Sequence, residues 1–263
     1  SLRLLIHAKR CKLHAGGITP TFHTLILGPS GSGKSHVVRA VAKYEGMGFY
    51  EINVSSWLPS GSRTQKSTPE RLAAFVDSNR SGIIFLDEAD KLHPKSEHTS
   101  DFTRYLIDEV FGLLDGRVSH WESWSEQLAN KLKHDYFIVL AGAWQQAYTE
   151  AFLSHQILGG TWANLSILEG FLENNWLPTE LLNRVSSHLI EILPPETSDI
   201  VSRLRSVRAG LGLPEDHAGI EKEAREIMEA QKGIRGIEEY LITEWFKTQS
   251  NCPTPGDADD IPF

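Results

Sequence analysis

Continuous apolar runs alternate along the first two thirds of the chain with stretches in which apolar residues recur every three to four positions. Short continuous runs are typical of strands buried on both faces, and the longer period is typical of helices packed along one side. Strands alternating with helices predict a parallel sheet with helices on both faces, so the predicted fold class is a three-layer α/β core. The predicted strands are 24–28, 49–54, 83–86, 136–140 and 189–193, and the predicted core helices are 34–44, 68–76 and 102–114.

The strand pattern stops after Pro195, and only helical periods follow it. This change predicts three parts: an α/β core over 1–195, a small all-helical lid over 196–248 and a flexible tail over 249–263 that is rich in Pro, Gly and Asp. The predicted lid helices are Ser198–Leu211, Ile220–Gln231 and Ile234–Phe246.

Several local details of the core can also be predicted. Thr68 is expected to cap the helix that follows it, with Pro69 in the first position of that helix. Segments 117–134 and 151–175 are interpreted as insertions, whose tryptophans we expect mostly in the core. The apolar side of the helix over 34–44 is predicted to consist of Val37, Val38, Val41 and Ala42.

Composition narrows the class of protein. The chain has 263 residues, of which 40% are hydrophobic and 23% charged, as in ordinary globular proteins. A net charge of −8 disfavours a generic nucleic-acid binder. The sequence has no apolar stretch long enough to cross a bilayer and no signal-peptide pattern, and its two cysteines, Cys11 and Cys252, have no partner at zinc-ligand spacing. These features predict a cytoplasmic protein without a membrane association.

A phosphate-binding pattern follows the first predicted strand. Its glycines allow successive backbone N–H groups to curve around a phosphate chain, and the following helix offers its positive end to the same anion. We expect Lys34 to reach the β- and γ-phosphates of ATP and Ser35 to ligate Mg²⁺, with His36 also in the nucleotide-binding set. The alternative is a Gly/Ser turn with a surface lysine, which the position between a strand and a helix disfavours. The pattern G-x-x-x-x-G-K-[ST] is matched by Gly28, Pro29, Ser30, Gly31, Ser32, Gly33, Lys34 and Ser35.

Two carboxylates end the predicted strand over 83–86. In an open parallel sheet, ligands bind at the carboxyl ends of the strands. We therefore expect Asp87 to hold Mg²⁺ and Glu88 to orient and polarise the attacking water. An acidic strand end that serves only solubility is the alternative, and the phosphate-binding pattern makes it less attractive.

With GPSGSGKS over 28–35 and IIFLDEAD over 83–90, the chain resembles the AAA+ ATPases and their two Walker motifs. The segment LPTELLNR over 177–184 resembles the arginine-finger segment of the Clp unfoldase branch, and GIRGI over 233–237 resembles the lid segment with the sensor-2 arginine. The resemblance implies that Arg184 acts on the γ-phosphate of a neighbouring subunit and that Arg235 senses nucleotide from the lid. It also implies ATP hydrolysis, a homo-oligomeric ring, expected to be a hexamer, and remodelling of a protein or nucleoprotein substrate.

The chain departs from the family pattern at two places. The polar sensor-1 residue expected after strand 136–140 is replaced by Ala-Gly-Ala-Trp, which leaves Gln145 as the candidate. The loop over 58–65 has no pore aromatic, and Trp57 before it is interpreted as a core residue. The alternatives are a Clp-type unfoldase that serves a protease, which the missing aromatic disfavours, and a scaffold that uses ATP only to assemble.

The last residues, DDIPF over 259–263, resemble the acidic tip of bacterial single-stranded DNA-binding proteins. The resemblance implies docking to enzymes that bind such tips, with Phe263 filling a pocket and the aspartates steering the encounter. A simple acidic solubilising tail is an equally weighted interpretation.

Overall fold

The computed structural model describes residues 2–11, 22–60, 65–92, 101–118, 121–157, 165–173, 176–185, 188–230 and 232–250. The chain forms two compact units. The first consists of Ser1–Pro29, Gly33–Gly160 and Leu165–Leu193, and the second of Ser30–Ser32, Thr161–Asn164 and Pro194–Phe263. Residues 251–263 of the predicted tail lie outside the described residues. Among the described helices, none is both long and apolar enough to span a membrane.

A five-stranded parallel sheet forms the centre of the first unit, in the order β2-β3-β4-β1-β5. The inner strands are buried along almost their whole length, whereas β2 and β5 at the edges are largely half-buried. This is the burial that continuous apolar runs predict, and the predicted α/β class is confirmed. The strands are β1 (Thr24–Leu27), β2 (Gly48–Asn53), β3 (Gly82–Asp87), β4 (Tyr136–Gly142) and β5 (Leu189–Glu191).

Eight helices and two short 3₁₀ turns are described in the same unit. Buried side chains from the strands and from α1 and α2 form one continuous core cluster, which includes Ile6, Val38, Ile83 and Phe137. The helices are α1 (Leu2–Arg10), α2 (Lys34–Tyr44), α3 (Thr68–Ser78), α4 (Asp101–Leu114), α5 (Glu126–Asp135), α6 (Gln145–Ile157), α7 (Leu168–Glu173) and α8 (Thr179–Val185), and the turns are η1 (Val54–Ser56) and η2 (Ala89–Leu92).

Two local predictions were wrong. Val37 is 44% exposed, because the buried side of α2 repeats every four residues through Val38 and Ala42, and Val37 points away from that stripe. The cap of α3 is Ser67 instead of Thr68. The Ser67 hydroxyl accepts from the Glu70 N–H, and the Glu70 carboxylate accepts from the Ser67 N–H, so the two residues cap the helix reciprocally.

The predicted insertion over 117–134 contains α5 except for its last residue, Asp135, and two tryptophans that belong to the core. Trp121 and Trp124 are buried and their rings meet edge to face at 5.9 Å. The Trp124 indole N–H donates to the Pro69 carbonyl at 3.0 Å, which ties this segment to the start of α3. The core interpretation of these two tryptophans is confirmed, while Trp162 lies outside the described residues.

The described residues of the second unit form three helices, as predicted, and its apolar core includes Leu204, Ala224 and Tyr240. Arg208 and Glu244, both nearly buried, form an ion pair at 2.7 Å, and Arg208 also donates to the Tyr240 hydroxyl. Each charge therefore has a close partner, as a buried charge requires. The helices are α9 (Thr197–Gly210), α10 (His217–Glu229) and α11 (Ile234–Ser250).

His23, immediately before β1, makes a contact with a measurable pH signature. Its Nε2–H donates to the Leu114 carbonyl at the end of α4, at 2.6 Å. Burial lowers the pKa of His23 from 6.5 to about 4, although the carbonyl contact opposes this shift. The unfolded chain therefore binds a proton at this histidine below pH 6.5, whereas the folded chain binds it only below about pH 4.

We predict that His23→Gln reduces the pH dependence of stability between pH 6.5 and 4. In the wild type, the contribution of neutral His23 to the free energy of unfolding is fully present above pH 6.5 and is lost as the pH falls towards 4. The loss is at most about 3 kcal/mol. Glutamine can still donate to the carbonyl but does not titrate. Urea unfolding at several pH values measures the effect, with the exposed His217→Gln as control. An unchanged profile in the His23 variant would contradict the assignment.

Candidate nucleotide-binding site

The strand order brings the phosphate-binding loop and the acidic pair to one edge of the sheet. Strand β4 lies between β1 and β3, with Leu27 opposite Gly142 on one side and Leu86 opposite Leu140 on the other. All three strands are parallel, so the residues that follow β1 and β3 emerge at the same carboxyl edge. This edge is where open α/β sheets bind ligands.

The loop between β1 and α2 depends on two glycines with left-handed backbone conformations, Gly31 with φ 75° and Gly33 with φ 87°. Other residues adopt these angles only with strain. Gly33 is also the N-cap of α2 and provides no side-chain acceptor, so no capping side chain satisfies the first N–H groups of the helix. The loop thus presents helix amides at a positive helix end, the arrangement that binds phosphate.

Two polar groups of this loop have the chemistry of a phosphate site. The Lys34 ammonium is buried and donates to the Gly28 and Pro29 carbonyls at 2.7 and 2.9 Å, so it lies within the loop. The Ser32 hydroxyl is buried with no hydrogen-bond partner among the described residues. A buried hydroxyl without a partner costs free energy that a bound ligand can recover. A triphosphate fits this set of donors.

The acidic pair, Asp87 and Glu88, lies at the carboxyl end of β3, where the backbone makes a strained turn. Burial raises the pKa of Asp87 above its ordinary value, and the nearby charge of Lys34 opposes this effect. Glu88 has φ 58°, a conformation that non-glycine residues seldom adopt and that often marks a functional site. Its backbone N–H donates to the Asp87 carboxylate at 2.9 Å.

Ser55 is a residue of the site that the sequence interpretation missed. It lies in η1, directly after the edge strand β2, and its hydroxyl donates to the Glu88 carboxylate at 2.7 Å. The Asn53 side chain accepts from the Ser55 N–H at 2.8 Å and so fixes this turn. The available sequence signal was a group of small polar residues, Asn53, Ser55 and Ser56, at the end of the strand beside β3.

The donor set fits magnesium as well. Within the described ranges, no group of three or more His, Cys, Asp or Glu side chains could hold a metal ion alone. Mg²⁺ is usually held by one or two protein ligands together with phosphate oxygens and water. A serine hydroxyl and a carboxylate, here Ser35 and Asp87, are ligands of that kind.

A family model described as "ATPase family associated with various cellular activities (AAA)" matches residues 24–157, half of the chain. The match begins at β1 and ends with α6, so it contains both the loop and the acidic pair. The chain belongs to the AAA family. As an AAA ATPase it binds ATP with Mg²⁺ and hydrolyses ATP, which confirms the predicted cofactors and enzyme class. AAA ATPases typically assemble into rings.

The structure does not bring Arg184 to the phosphate loop of its own chain. Arg184 lies in α8 and pairs with Asp115, which follows Leu114 at the end of α4. Leu114 in turn accepts from His23, the residue before β1. The pair therefore lies towards the amino edge of β1, whereas the phosphate loop follows its carboxyl edge.

Arg235, by contrast, lies next to a residue that contacts the loop tip. It is the second residue of α11 and is exposed, and the N–H of the preceding Ile234 donates to the Gly31 carbonyl at 2.9 Å. His36 is exposed in the first turn of α2. Gln145, the sensor-1 candidate, is exposed at the start of α6, and its role stays a prediction.

We predict that Gly31→Ala weakens ATP·Mg²⁺ binding at least about tenfold. A Cβ at Gly31 would lie 2.3 Å from the Lys232 carbonyl, and alanine at φ 75° adds roughly 1–2 kcal/mol of backbone strain. The matched control is Gly46→Ala, which has the same strain at φ 63° but open space around the new methyl group. Fluorescent nucleotide titration and thermal unfolding compare the two. Equal affinity in both variants would show that the loop tolerates a side chain.

Proposed function

We propose that this AAA ATPase works as a ring of identical subunits that hydrolyses ATP at the interfaces between subunits and remodels a protein or nucleoprotein partner. The observation that supports the interface site is the location of Arg184, towards the opposite edge of the sheet from the loop that its own chain provides. A guanidinium placed there can serve the nucleotide of a neighbour. Hydrolysis then requires assembly.

Within one subunit, each group at the carboxyl edge has a distinct task. The loop amides and Lys34 bind the phosphates and neutralise their charge. Ser35 and Asp87 would hold Mg²⁺, which supplies further positive charge to the phosphate oxygens. Glu88 orients the attacking water and polarises it. The 2.7 Å contact from Ser55 supports this role, because it restrains one Glu88 oxygen and so orients the carboxylate at the carboxyl edge of the sheet.

The two arginines complete the site from outside the loop. Arg184 of one subunit stabilises the charge that develops on the γ-phosphate bound by the next subunit. Arg235 contacts the nucleotide of its own chain, which the closeness of Ile234 to the Gly31 carbonyl supports. Nucleotide state can then set the hinge angle of the lid and drive mechanical work.

Remodelling without polypeptide threading is favoured over a Clp-type unfoldase that serves a protease. The sequence offers no aromatic residue over 58–65, and Trp57 cannot replace one because it is 1% exposed. The Trp57 indole N–H donates to the Glu109 carboxylate at 2.6 Å, which ties the ring to α4. An anchored, buried indole cannot grip a translocating chain.

Recruitment is the remaining part of the proposal. The acidic DDIPF segment over 259–263 would bring the ring to replication or repair enzymes that bind such tips, and so close to single-stranded DNA. The net charge of −8 supports indirect recruitment, because an acidic chain gains little from direct contact with a polyanion.

We predict that Glu88→Gln binds ATP·Mg²⁺ with near wild-type affinity and loses at least about 99% of its turnover. The amide keeps the size of the carboxylate but cannot polarise water, an effect worth about 10²–10⁴ in rate. Phosphate release measures turnover, and size-exclusion chromatography with and without ATP measures assembly. The exposed Glu122→Gln is the control for a lost surface charge. Full turnover in the Glu88 variant would refute its role.

A mixing experiment tests whether Arg184 acts between subunits. Lys34→Ala removes phosphate binding and keeps the arginine, whereas Arg184→Ala keeps the loop and removes the arginine. Each variant alone should be nearly inactive, since an arginine finger contributes about 10³–10⁵ in rate. Mixed rings place an intact loop beside an intact arginine, so we expect mixing to restore measurable phosphate release. No recovery in rings shown by sizing to be mixed would contradict action in trans.

A further inference from the structure

The end of α4 carries a carboxylate shared by two arginines. The helix stops at Leu114, Gly116 adopts φ 66°, and the Arg117 N–H donates back to the Gly112 carbonyl at 2.8 Å. This glycine-based reversal is a common helix ending. It folds Arg117 back so that its guanidinium pairs with Asp115, the same side chain that binds Arg184.

Arg184 is fixed from three directions. Its Nε and Nη2 donate to the two Asp115 oxygens at 2.6 and 2.8 Å, a bidentate contact along one edge of the guanidinium. Its Nη1 donates to the Glu180 carbonyl, one turn earlier in α8, at 2.6 Å. The guanidinium carbon lies 4.6 Å from the centre of the Phe111 ring, which supports the flat face of the group.

These contacts orient Arg184 but use only part of its hydrogen-bonding capacity. Arginine has five N–H donors, and the contacts to the described residues engage three of them. The side chain is 27% exposed, so it is open to an approaching ligand. The carboxylate of Asp115 is also divided between two cations, so the cluster of Asp115, Arg117 and Arg184 keeps a net positive charge of one unit. A net positive cluster attracts phosphate, whereas a net negative cluster would repel it.

The ionisation of Asp115 is stable over the whole physiological range. The hydrogen bond from Arg184 is the main cause that holds the pKa of Asp115 below its ordinary value, and Arg117 acts in the same direction. The carboxylate is therefore charged at neutral pH, the form that accepts the bidentate contact from Arg184.

We propose that Asp115 is a positioning residue for ATP hydrolysis: it holds the Arg184 guanidinium in the orientation in which its remaining N–H groups meet the γ-phosphate bound by the neighbouring subunit. The inference rests on the proposed function of Arg184 in trans. A long, free arginine would lose rotamer entropy each time it reached the phosphate, whereas a clamped arginine has already lost it. Asp115 touches no substrate and acts only through Arg184.

The test compares Asp115→Asn, Asp115→Glu, Arg184→Ala and the double variant Asp115→Asn/Arg184→Ala. Loss of the charged bidentate contact should lower kcat about 10- to 100-fold and leave the KM for ATP unchanged. The glutamate variant keeps the charge and should recover part of the rate. The double variant should be no slower than Arg184→Ala, because a residue that acts through another adds no further loss once the other is gone.

Glu45→Gln is the matched control. Glu45 is also a carboxylate shared by two arginines, Arg3 and Arg10, but it lies after α2 on the face towards α1. We expect its kcat to stay within about twofold of wild type, and thermal unfolding of all variants to show whether the fold is intact. If Asp115→Asn does not fold, the glutamate variant alone tests the inference. An intermediate kcat at unchanged KM would then support it.

The outcomes separate the inference from the function on which it rests. Full turnover of Arg184→Ala would overturn the arginine-finger proposal and the inference with it. Loss of turnover in Arg184→Ala, with normal turnover in a folded Asp115→Asn, would overturn only the inference. Faster turnover in Asp115→Asn would also overturn it, since the carboxylate would then restrain Arg184 instead of orienting it. A further loss in the double variant would show that Asp115 acts by another route.

Discussion

The parallel pairing of β1, β4 and β3 is the constraint on which the candidate site depends. Hydrogen bonds between these strands hold three carboxyl ends side by side, so a loop near position 30 and an acidic pair near position 88 meet although more than fifty residues separate them. The interior of the sheet contributes only shape and rigidity. The phosphate loop and the acidic pair lie at one edge, and the helices between the strands return the chain so that the next strand can run towards that edge.

In the proposed ring, the opposite edge of the sheet would make each chain depend on its neighbour. One chain supplies phosphate-binding amides at the carboxyl edge, while its arginine in α8 is clamped towards the amino edge by Asp115. A flexible arginine could in principle fold back to its own nucleotide. The bidentate contact and the Phe111 ring oppose that movement, because leaving them would expose the carboxylate without its main partner. The proposed division of the site between subunits is thus consistent with local side-chain contacts.

Strands, the order of elements and the two phosphate-site motifs could be predicted from the sequence, because burial of a parallel strand and the curvature of a phosphate loop both demand particular residue types. The position of Val37 could not, since one residue shifts a side chain by 100° around a helix, while hydropathy is unchanged. The contacts of Ser55 with Glu88 and of Asp115 with Arg184 could not be predicted either. They join residues far apart in sequence through polar side chains, and no hydrophobic periodicity predicts such a pairing.

The crossing of Gly31 and Gly233 is made of main-chain atoms alone. A methyl group on either residue would enter the carbonyl of the opposing segment, at 2.3 Å from Lys232 in one case and 2.6 Å from Gly31 in the other. Because the contact is between backbone atoms, substitution of neighbouring side chains cannot adjust its spacing gradually. We therefore expect both glycines to be kept while the surrounding sequence changes. Related chains that have lost one of them should have lost the other as well, together with this approach of the two backbones.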